Sequence, residues 1–262
     1  MKKRILASFL AAVMAAAMAG CGGSPAPASS GAPAASDGNS AAPAQENNAA
    51  PSGDTIKIGG LAPLTGDVSQ YGIAVNNAIT MAIEKANANG GVLGQQIEYI
   101  VEDEKGDPNE AVNAYNKLVN NDNVVAIVGD VTTKPTQAVA QKSVDDNVPL
   151  ITASAPGEEV TLAGENVYRV CFIDPYQGKL MANYASKKLS AKSAAILYDN
   201  GDPYSTGIAD AFEASAKELG IEIAAKEGYQ TGSTDFNSQL TKVKAANPDV
   251  LLLPVYYNDV VL

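Results

Sequence analysis

Residues 124–129, with the sequence VVAIVG, form the apolar run that decides the fold. A continuous apolar run of this kind is typical of a central strand in a parallel sheet whose two faces are covered by helices. Upstream of it, Asp107-Pro108-Asn109-Glu110 supplies an N-cap acid, a proline at the first helical position and a capping-box acid. We therefore predict a helix that starts at Asp107 and leads into a buried parallel strand. The buried stripe of this helix should consist of Ala111, Val112, Tyr115, Leu118 and Val119.

Short β-branched runs and helical stripes alternate along the chain after residue 53. Strands are predicted at 55–61, 96–102, 124–129, 149–153, 167–173, 193–198, 221–225 and 250–253. Helices are predicted at 71–87, from 107, and at 136–145, 175–189, 205–219 and 235–246, the first with a buried stripe at Tyr71, Val75, Ile79, Ala82 and Ala86. Such alternation requires parallel sheets with helices on both faces. The sequence therefore predicts an α/β fold with two similar lobes, residues 54–172 and residues 173–262.

The first residues predict an export signal followed by a tether. Lys2-Lys3-Arg4, an apolar run and small residues before Cys21 are typical of a secretory signal over residues 1–20. Cys21 directly follows Ala-Gly and resembles the lipidated cysteine of a bacterial lipobox, the alternative being an incidental residue after an ordinary cleavage site. Residues 22–53 hold no Val, Ile, Leu, Met, Phe, Tyr or Trp. Because this segment cannot bury enough apolar surface to offset its ordering entropy, we predict residues 21–53 as a lipid-anchored, disordered linker.

The composition excludes several classes of function. The chain carries 18 Lys and Arg against 29 Asp and Glu, and this net charge of −11 would repel the phosphates of a nucleic acid. It has no histidine and only two cysteines, Cys21 and Cys171, which excludes histidine-dependent nucleophiles and most zinc sites. It also lacks a P-loop, a G-x-G-x-x-G motif and a G-x-S-x-G motif. The sequence therefore predicts no catalysis, no metal, no cofactor and no nucleic-acid partner.

Two further features of the sequence carry weaker signals. Glu102-Asp103-Glu104 can in principle bind a hard cation or act as an acid/base pair. A solvated turn after a strand is the favoured interpretation, because no oxygen-ligand spacing of the EF-hand kind surrounds these residues. Cys171 lies inside the predicted strand 167–173, so we expect it to pack as a small buried hydrophobe.

The loops that follow the strands are the places where a ligand would bind. In open parallel sheets, ligands bind beyond the carboxyl ends of the strands, next to helix N-termini. Thr132 and Thr133, with the free N–H groups of a helix start, can hold a carboxylate or can merely cap the helix. A tyrosine offers a flat apolar wall with a polar tip, although a loop tyrosine is more often ordinary packing. The loop tyrosines in question are Tyr71, Tyr204, Tyr256 and Tyr257.

Short motifs in both predicted lobes carry a family resemblance. The first lobe contains Ile56-Lys57-Ile58-Gly59, Leu61-Ala62-Pro63-Leu64-Thr65-Gly66, Gln70-Tyr71-Gly72, Glu102-Asp103 and Gly106-Asp107-Pro108. The second lobe contains Asp174-Pro175-Tyr176-Gln177-Gly178, Asp235-Phe236 and Ala246-Asn247-Pro248-Asp249. With these motifs the chain resembles the branched-chain amino-acid (leucine/isoleucine/valine) binding proteins of ABC importers, which are periplasmic binding proteins of type I.

The resemblance implies a two-lobed clamshell that closes on an amino acid and delivers it to a membrane permease. The ligand-binding residues it implies are Tyr71, Thr132, Thr133, Ser154, Ala155, Tyr204 and Tyr256. Among them, the Thr133 hydroxyl would bind the ligand carboxylate, and Ala155 with its neighbours would make main-chain contacts. Tyr204 and Tyr256 would close over the ligand from the second lobe. Pro156 stands where the family commonly has a threonine that helps to hold the ligand ammonium group.

The resemblance also implies where the protein acts and with what partners. It implies an extracytoplasmic monomer, lipid-anchored at Cys21, with an amino-acid ligand and an ABC permease as partners. It further implies that the second lobe is incomplete at Leu262, because the acid that pairs with the ammonium group should follow the strand before Tyr256. One alternative is the sensing domain of a signalling receptor with the same fold, and another is a secreted enzyme with a Rossmann-like sheet.

Overall fold

The structure is a computed structural model, and it describes residues 55–262. The predicted signal, the lipidated Cys21 and the linker lie outside the described residues. Within residues 55–262, two parallel sheets are present, and every pairing between their named strands is parallel. This confirms the α/β fold class. None of the helices in that part of the chain has both the length and the apolar character that crossing a membrane requires.

The first sheet has five strands in the order β2-β1-β3-β4-β5. Its strands are β1 Ile56–Ala62, β2 Ile97–Asp103, β3 Ala126–Val128, β4 Leu150–Thr152 and β5 Val167–Arg169. The helices between and after them are α1 Ser69–Ala88, α2 Pro108–Asn120, α3 Thr133–Asp145 and α4 Glu159–Leu162. From β1 the chain goes first to β2 on one side and then to β3 on the other side. Because β1 and β3 are neighbours, the loops that follow them lie side by side at the carboxyl edge of the sheet.

The second sheet has three strands in the order β7-β6-β8. Its strands are β6 Ser193–Asp199, β7 Glu222–Tyr229 and β8 Val250–Leu252. The helices are α5 Asp174–Lys187, α6 Pro203–Glu218, α7 Asn237–Ala246 and α8 Tyr257–Val260. The short helices α4 and α8 were not predicted, because a single turn carries too few residues to show a helical period.

Helix α2 has the N-cap that the sequence predicted. Asp107 Oδ1 accepts hydrogen bonds from the N–H groups of Asn109 (2.7 Å) and Glu110 (3.0 Å). The predicted capping-box role of Glu110 is wrong, because the Asp107 N–H donates to the Glu104 carbonyl and the Glu110 carboxylate lies 3.6 Å from Lys105 Nζ. The predicted stripe is confirmed. Its buried members are Ala111, Tyr115 and Leu118, and its half-buried members, which pack against the core, are Val112 and Val119.

Each sheet has its own apolar core. In the first, Tyr115 and Leu118 of α2 pack with Ile127 of β3 and Leu150 of β4. In the second, Ile196 of β6 packs with residues of α6 and β8, namely Ile208, Phe212 and Leu252. Burying a side chain of this size contributes about 1.5–3 kcal/mol, so each core can hold its sheet and helices together.

The predicted buried stripe of α1 is wrong in part. Tyr71 and Ala82 are exposed and the other three predicted members are only half-buried, whereas Gly72 is the buried residue of the helix. Gly72 lies so close to the β1–α1 loop that an added Cβ would be 2.0 Å from the Pro63 carbonyl oxygen. The helix therefore approaches the sheet backbone to backbone at its first turn, and this contact turns Tyr71 away from the core.

Two predicted element boundaries are wrong in ways that concern the ligand cavity. Strand β5 ends at Arg169, four residues before the predicted end, and Cys171 is half-buried beyond it rather than buried in a strand. Val170 and Phe172 are exposed, so the apolar residues after Arg169 do not continue into the sheet. Helix α3 begins at Thr133, before the predicted residue 136, because Pro135 is tolerated in a first turn where no intrahelical N–H bond is needed.

We expect the Gly72→Ala substitution to destabilise the fold by about 1–3 kcal/mol, because the new methyl group collides with the Pro63 carbonyl and must displace backbone. The free-energy cost of this collision outweighs the roughly 0.5–1 kcal/mol by which alanine stabilises a helix interior relative to glycine. Chemical denaturation would measure the change. Ala82→Ser, at an exposed position of the same helix, is the control and should shift the free energy of unfolding little. An unchanged midpoint for Gly72→Ala would contradict the backbone contact.

Candidate ligand-binding site

A cavity of ≈520 Å³ lies between loops of the first sheet and loops of the second. None of the side chains that line it is charged. Its lining residues are Gln70, Tyr71, Ala74, Val75, Val131, Thr132, Ser154, Pro156, Cys171, Phe172, Gln177, Tyr204 and Tyr256. The volume and the mostly apolar lining with a few polar groups are typical of a site for a small molecule.

The carboxyl ends of the strands position these residues. The first turn of α1, which follows β1, carries Tyr71 to one side of the cavity, and the loops after β3 and β4 carry Thr132 and Ser154 there. From the second sheet, Tyr204 stands at the start of α6 and Tyr256 directly before α8. Five of the seven residues that the resemblance implied therefore line one cavity.

The other two, Thr133 and Ala155, are fully buried behind the cavity wall. Thr133 Oγ1 accepts a hydrogen bond from the Gly157 N–H at 3.2 Å, and the Ala155 N–H donates to Thr152 Oγ1 at 3.0 Å. In this structure they brace the β4–α4 loop, which carries Ser154 and Pro156. Their contact with a ligand stays a prediction.

Some lining residues were not predicted, notably Gln70, Phe172 and Gln177. Each had a signal in the sequence. Gln70 adjoins Tyr71 in the Gln-Tyr-Gly motif, and Gln177 lies in the Asp-Pro-Tyr-Gln-Gly motif at the predicted joint between the lobes. Pairing the joint with the loop tyrosines would have found them, because a cavity between two lobes is also lined by the segment that connects them.

One end of the cavity suits an anionic group. The first-turn amides of α3, those of Thr133 and Lys134, have no carbonyl partner inside the helix, and the helix dipole favours negative charge there. Thr132 lines the cavity at this end, and among the described residues its side chain makes no capping hydrogen bond. The nearby Ser154 hydroxyl donates to the Val131 carbonyl at 2.8 Å, which fixes the loop that presents Thr132.

Tyrosine rings form the opposite wall. The rings of Tyr204 and Tyr256 are stacked, with centroids 5.1 Å apart and planes 13° from parallel. Tyr71, from the first sheet, lies 5.9 Å from Tyr256 and 5.1 Å from Tyr257 between ring centroids. Aromatic contacts thus join the two sides of the cavity.

Hydrogen bonds join the same two sides at the cavity rim. The Gln70 N–H donates to the Tyr257 hydroxyl at 3.4 Å, and Asn258 Nδ2 donates to the Asp67 carbonyl at 2.6 Å. Lys134 Nζ, on α3, donates to the Gly201 carbonyl at 3.3 Å. The loops of the two sheets therefore contact one another directly around the cavity.

Two acids lie behind the tyrosine wall. Burial raises the pKa of Asp202 to about 6, with a further contribution from Asp199, although its carboxylate accepts the Tyr204 N–H as the N-cap of α6. Burial and then the charge of Asp202 raise the pKa of Asp174 to about 7. Asp174 is 2% exposed, and neither of its carboxylate oxygens has a hydrogen-bond partner among the described residues. The negative charge of these acids makes that end of the cavity favourable for a positively charged group of a ligand.

The predicted solvated turn at 102–104 is wrong for two of its residues. Asp103 accepts hydrogen bonds from the N–H groups of Leu64 (2.8 Å), Thr65 (3.2 Å) and Lys105 (3.1 Å), and from the Thr65 hydroxyl (2.6 Å). It thereby fixes the β1–α1 loop ahead of Tyr71. Glu104 is fully buried. Among residues 55–262, no group of three or more His, Cys, Asp or Glu side chains could hold a metal ion.

A family comparison identifies this arrangement. The family model described as "Periplasmic binding protein" matches residues 55–262. The chain belongs to the periplasmic binding protein family. Its parallel sheets and flanking helices agree with the solved structures to which the chain is similar.

Two solved structures and two curated proteins show the relationship. Branched-chain amino acid transporter substrate binding protein LivJ of Streptococcus pneumoniae, solved with isoleucine, is 37% identical with a TM-score of 0.74, over 79% of this chain and 58% of that chain. Leucine binding protein LivK of Thermotoga maritima is 32% identical with a TM-score of 0.72, over 76% of this chain and 56% of that one.

The two curated proteins are similar to this chain at about the same level. A Leu/Ile/Val-binding protein homolog of Brucella melitensis is 34% identical over 78% of this chain. A leucine-, isoleucine-, valine-, threonine- and alanine-binding protein of Pseudomonas aeruginosa is 35% identical over 79% of it. The chain spans 55% of the length of each of these two relatives.

We expect Asp103→Ala to destabilise the protein by about 1–2 kcal/mol at neutral pH, because three backbone N–H groups lose their acceptor. Partial burial raises the pKa of Asp103, but the hydrogen bonds from Thr65 and Leu64 outweigh it, so the pKa is lowered overall. The stabilisation is therefore full above the ordinary value near 3.9 and is lost as the pH falls through the lowered one.

Urea denaturation of both proteins between pH 3 and pH 7 would measure this difference. Glu84→Ala, which removes an exposed acid from α1, is the control for the change in net charge. A wild-type advantage that stays constant down to acid pH would contradict the role of the Asp103 carboxylate.

Proposed function

We propose that this protein is the extracytoplasmic solute-binding component of an ABC importer and that it captures a branched-chain or other apolar amino acid. The observation that carries the proposal is the uncharged cavity, which has the Thr132 side chain before the N-terminus of α3 at one end and buried acids behind the other. A zwitterion with an apolar side chain matches this distribution of charge. The relatives named for leucine, isoleucine and valine, one of them solved with isoleucine, support it.

The ligand carboxylate would bind at the N-terminus of α3. The Thr132 hydroxyl, which lines the cavity, can donate to it, and the dipole of α3 stabilises the negative charge. No Lys or Arg lines the cavity, so backbone and hydroxyl donors would supply the recognition.

The ligand ammonium group would lie towards Asp174 and Asp202. Pro156 has no hydroxyl that could accept a hydrogen bond from the ammonium group. The two acids would therefore have to supply the charge that compensates it. Asp202 accepts the Tyr204 N–H, and Asp174 packs against Gly207 one turn further along α6, so both acids lie beside the base of the Tyr204 ring. The ligand side chain would then pack among Tyr71, Val75 and Phe172.

Capture would proceed by closure of two lobes, residues 54–172 and residues 173–262. A ligand that contacts both sides of the cavity stabilises the closed arrangement and shifts a hinge equilibrium, without making or breaking a covalent bond. The rim contacts between Gln70 and Tyr257 and between Asp67 and Asn258 would form in the closed state. The protein would act as a monomer and not as an enzyme, held at the membrane by a lipid on Cys21, and would hand its ligand to a permease.

A second candidate ligand is an aromatic carboxylic acid. A solute-binding protein of Rhodopseudomonas palustris, solved with 3,4-dihydroxybenzoic acid, is 26% identical with a TM-score of 0.69. The tyrosine wall and Pro156 favour a ligand without an ammonium group. The buried acids behind that wall oppose it, because they would repel an anion that carries no positive group.

Isothermal titration of the purified protein with isoleucine, leucine, valine, alanine and 3,4-dihydroxybenzoic acid would test both candidates. We expect saturable binding of at least one branched-chain amino acid and none of the aromatic acid. Binding of the aromatic acid alone would replace the first candidate by the second. Absence of heat and of thermal stabilisation with every amino acid would refute the amino-acid proposal.

We expect Tyr204→Ala to weaken amino-acid binding by about 10–100-fold, equal to about 1.4–2.7 kcal/mol, because it removes one of the two stacked rings. Thr132→Val should weaken it by about tenfold, through loss of a donor to the carboxylate. Tyr168→Ala is the matched control, since Tyr168 is an exposed ring on β5 outside the cavity. Equal affinities for wild type and Tyr204→Ala would remove Tyr204 from the site.

A further inference from the structure

Two buried carboxyl groups meet beneath the loop that presents Thr132. Glu104 directly follows β2, and Asp130 follows β3. Both side chains are 0% exposed, although neither belongs to the cavity lining. Acids are almost never fully buried without a partner, so this pair requires an explanation.

Each carboxyl group uses one oxygen to hold a loop. Glu104 Oε2 accepts the Gly106 N–H at 2.7 Å, and Asp130 Oδ1 accepts the Val131 N–H. The remaining oxygens, Glu104 Oε1 and Asp130 Oδ2, have no N–H or O–H partner among the described residues. Both acids flank the end of β1: the Glu104 N–H donates to the Ala62 carbonyl at 3.3 Å, and the β1–β3 register that pairs Gly60 with Val128 brings Asp130 alongside Ala62. The two carboxyl groups also act on each other's pKa.

Two ionised carboxylates cannot hydrogen-bond to one another, because neither has a donor, and their like charges repel in a buried site. One proton between them converts the repulsion into a charge-assisted O–H···O bond. We propose that Glu104 and Asp130 share a single proton and that the resulting carboxyl–carboxylate bond positions the Val131–Thr132 segment of the ligand site. The effect on ligand binding rests on the proposed function, whereas the shared proton does not.

The surrounding charges favour a retained proton. Burial, and then the charge of Asp130, raise the pKa of Glu104 to about 9, with a smaller contribution from Asp103. Burial also raises the pKa of Asp130 to about 7. Among the described residues, the largest charged contributions to the pKa values of the pair come from these acids. The proton therefore stays on the pair at neutral pH, chiefly on Glu104.

Asp130 transmits the state of the pair to the cavity. Its carbonyl accepts the Thr152 hydroxyl, its carboxylate holds the Val131 N–H, and the Val131 carbonyl accepts the Ser154 hydroxyl. Val131 and Thr132 line the cavity. When the shared proton is lost, two facing charges push Asp130 away from Glu104, and this segment must move with it. Glu104 and Asp130 are thus positioning residues, because they act on the ligand through Val131 and Thr132.

The first test is independent of any ligand. Infrared spectra at neutral pH should contain the C=O stretch of protonated carboxylic acids, and Glu104→Gln should remove the component that belongs to the pair and leave that of Asp174. The Gln side chain is neutral at every pH, can donate to Asp130 Oδ2 and can still accept the Gly106 N–H. Glu98→Gln, an exposed acid on β2, is the matched control and should leave the band unchanged. A neutral-pH spectrum without a band sensitive to Glu104→Gln or to Asp130→Asn would overturn the shared proton.

The second test follows pH. The folded protein keeps the Glu104 proton up to about 9 whereas the unfolded chain releases it near 4.5, so the free energy of unfolding gains a negative slope between these values. Glu104→Gln should reduce that slope. In parallel, isoleucine affinity should fall about tenfold further for the wild type than for Glu104→Gln between pH 7 and pH 10, because the loss of the ligand's own ammonium proton is common to both proteins.

The outcomes separate the two proposals. Equal alkaline loss of isoleucine affinity in wild type and Glu104→Gln would overturn the positioning role. If isoleucine binds neither protein, the proposed ligand is wrong, and the infrared band and the unfolding slope still decide whether the proton is shared. If Glu104→Gln does not fold, Asp130→Asn, which also replaces two facing acids by one acid and one amide, takes its place in each measurement.

Discussion

Backbone N–H groups at the carboxyl ends of the strands need acceptors once the sheet ladder stops, because an unpaired buried N–H costs about 1–3 kcal/mol. In this chain carboxylates meet that need. Asp103 holds the β1–α1 loop, and Asp202 caps α6 below the tyrosine wall. The same role recurs at Glu104, Asp107, Asp130 and Asp199. Much of the excess of acids over bases thus serves the loops that shape the cavity, and the negative charge is part of the fold as well as of the surface.

This use of acids explains which parts of the fold the sequence could predict. Helix α2 was predicted with its N-cap and its stripe, because the signals of Asp107 and of the apolar period are local. Glu104 was misassigned to a solvated turn, because its burial depends on Asp130, a residue that the sheet order brings next to it. The residues that surround Glu104 in the sequence do not indicate this contact with a distant part of the chain.

The cavity shows the same division. Its general position followed from the parallel topology, since ligands bind beyond the carboxyl ends of strands. Five of the seven implied residues line it, and the loops that carry them were identified from hydroxyls and tyrosines. The burial of Thr133 could not be predicted, because it depends on how the β4–α4 loop packs. Gln177 lies in a motif at the predicted joint between the lobes, so its place in the cavity could have been found. Cys171 lines the cavity because β5 ends at Arg169, before the end of the apolar run 167–173 that predicted a longer strand.

The stacked pair of Tyr204 and Tyr256 has a consequence for the thermodynamics of capture. Both rings come from the same sheet and already restrict one another's rotamers, so the conformational entropy of ordering them is lost during folding. The two rings are therefore already ordered when a ligand binds, and the entropy cost of ordering side chains reduces the binding free energy less. If capture proceeds by the proposed closure of two lobes, the affinity also depends on how far the open arrangement is favoured before the ligand arrives, and a distant change at the hinge would tune it as strongly as a contact.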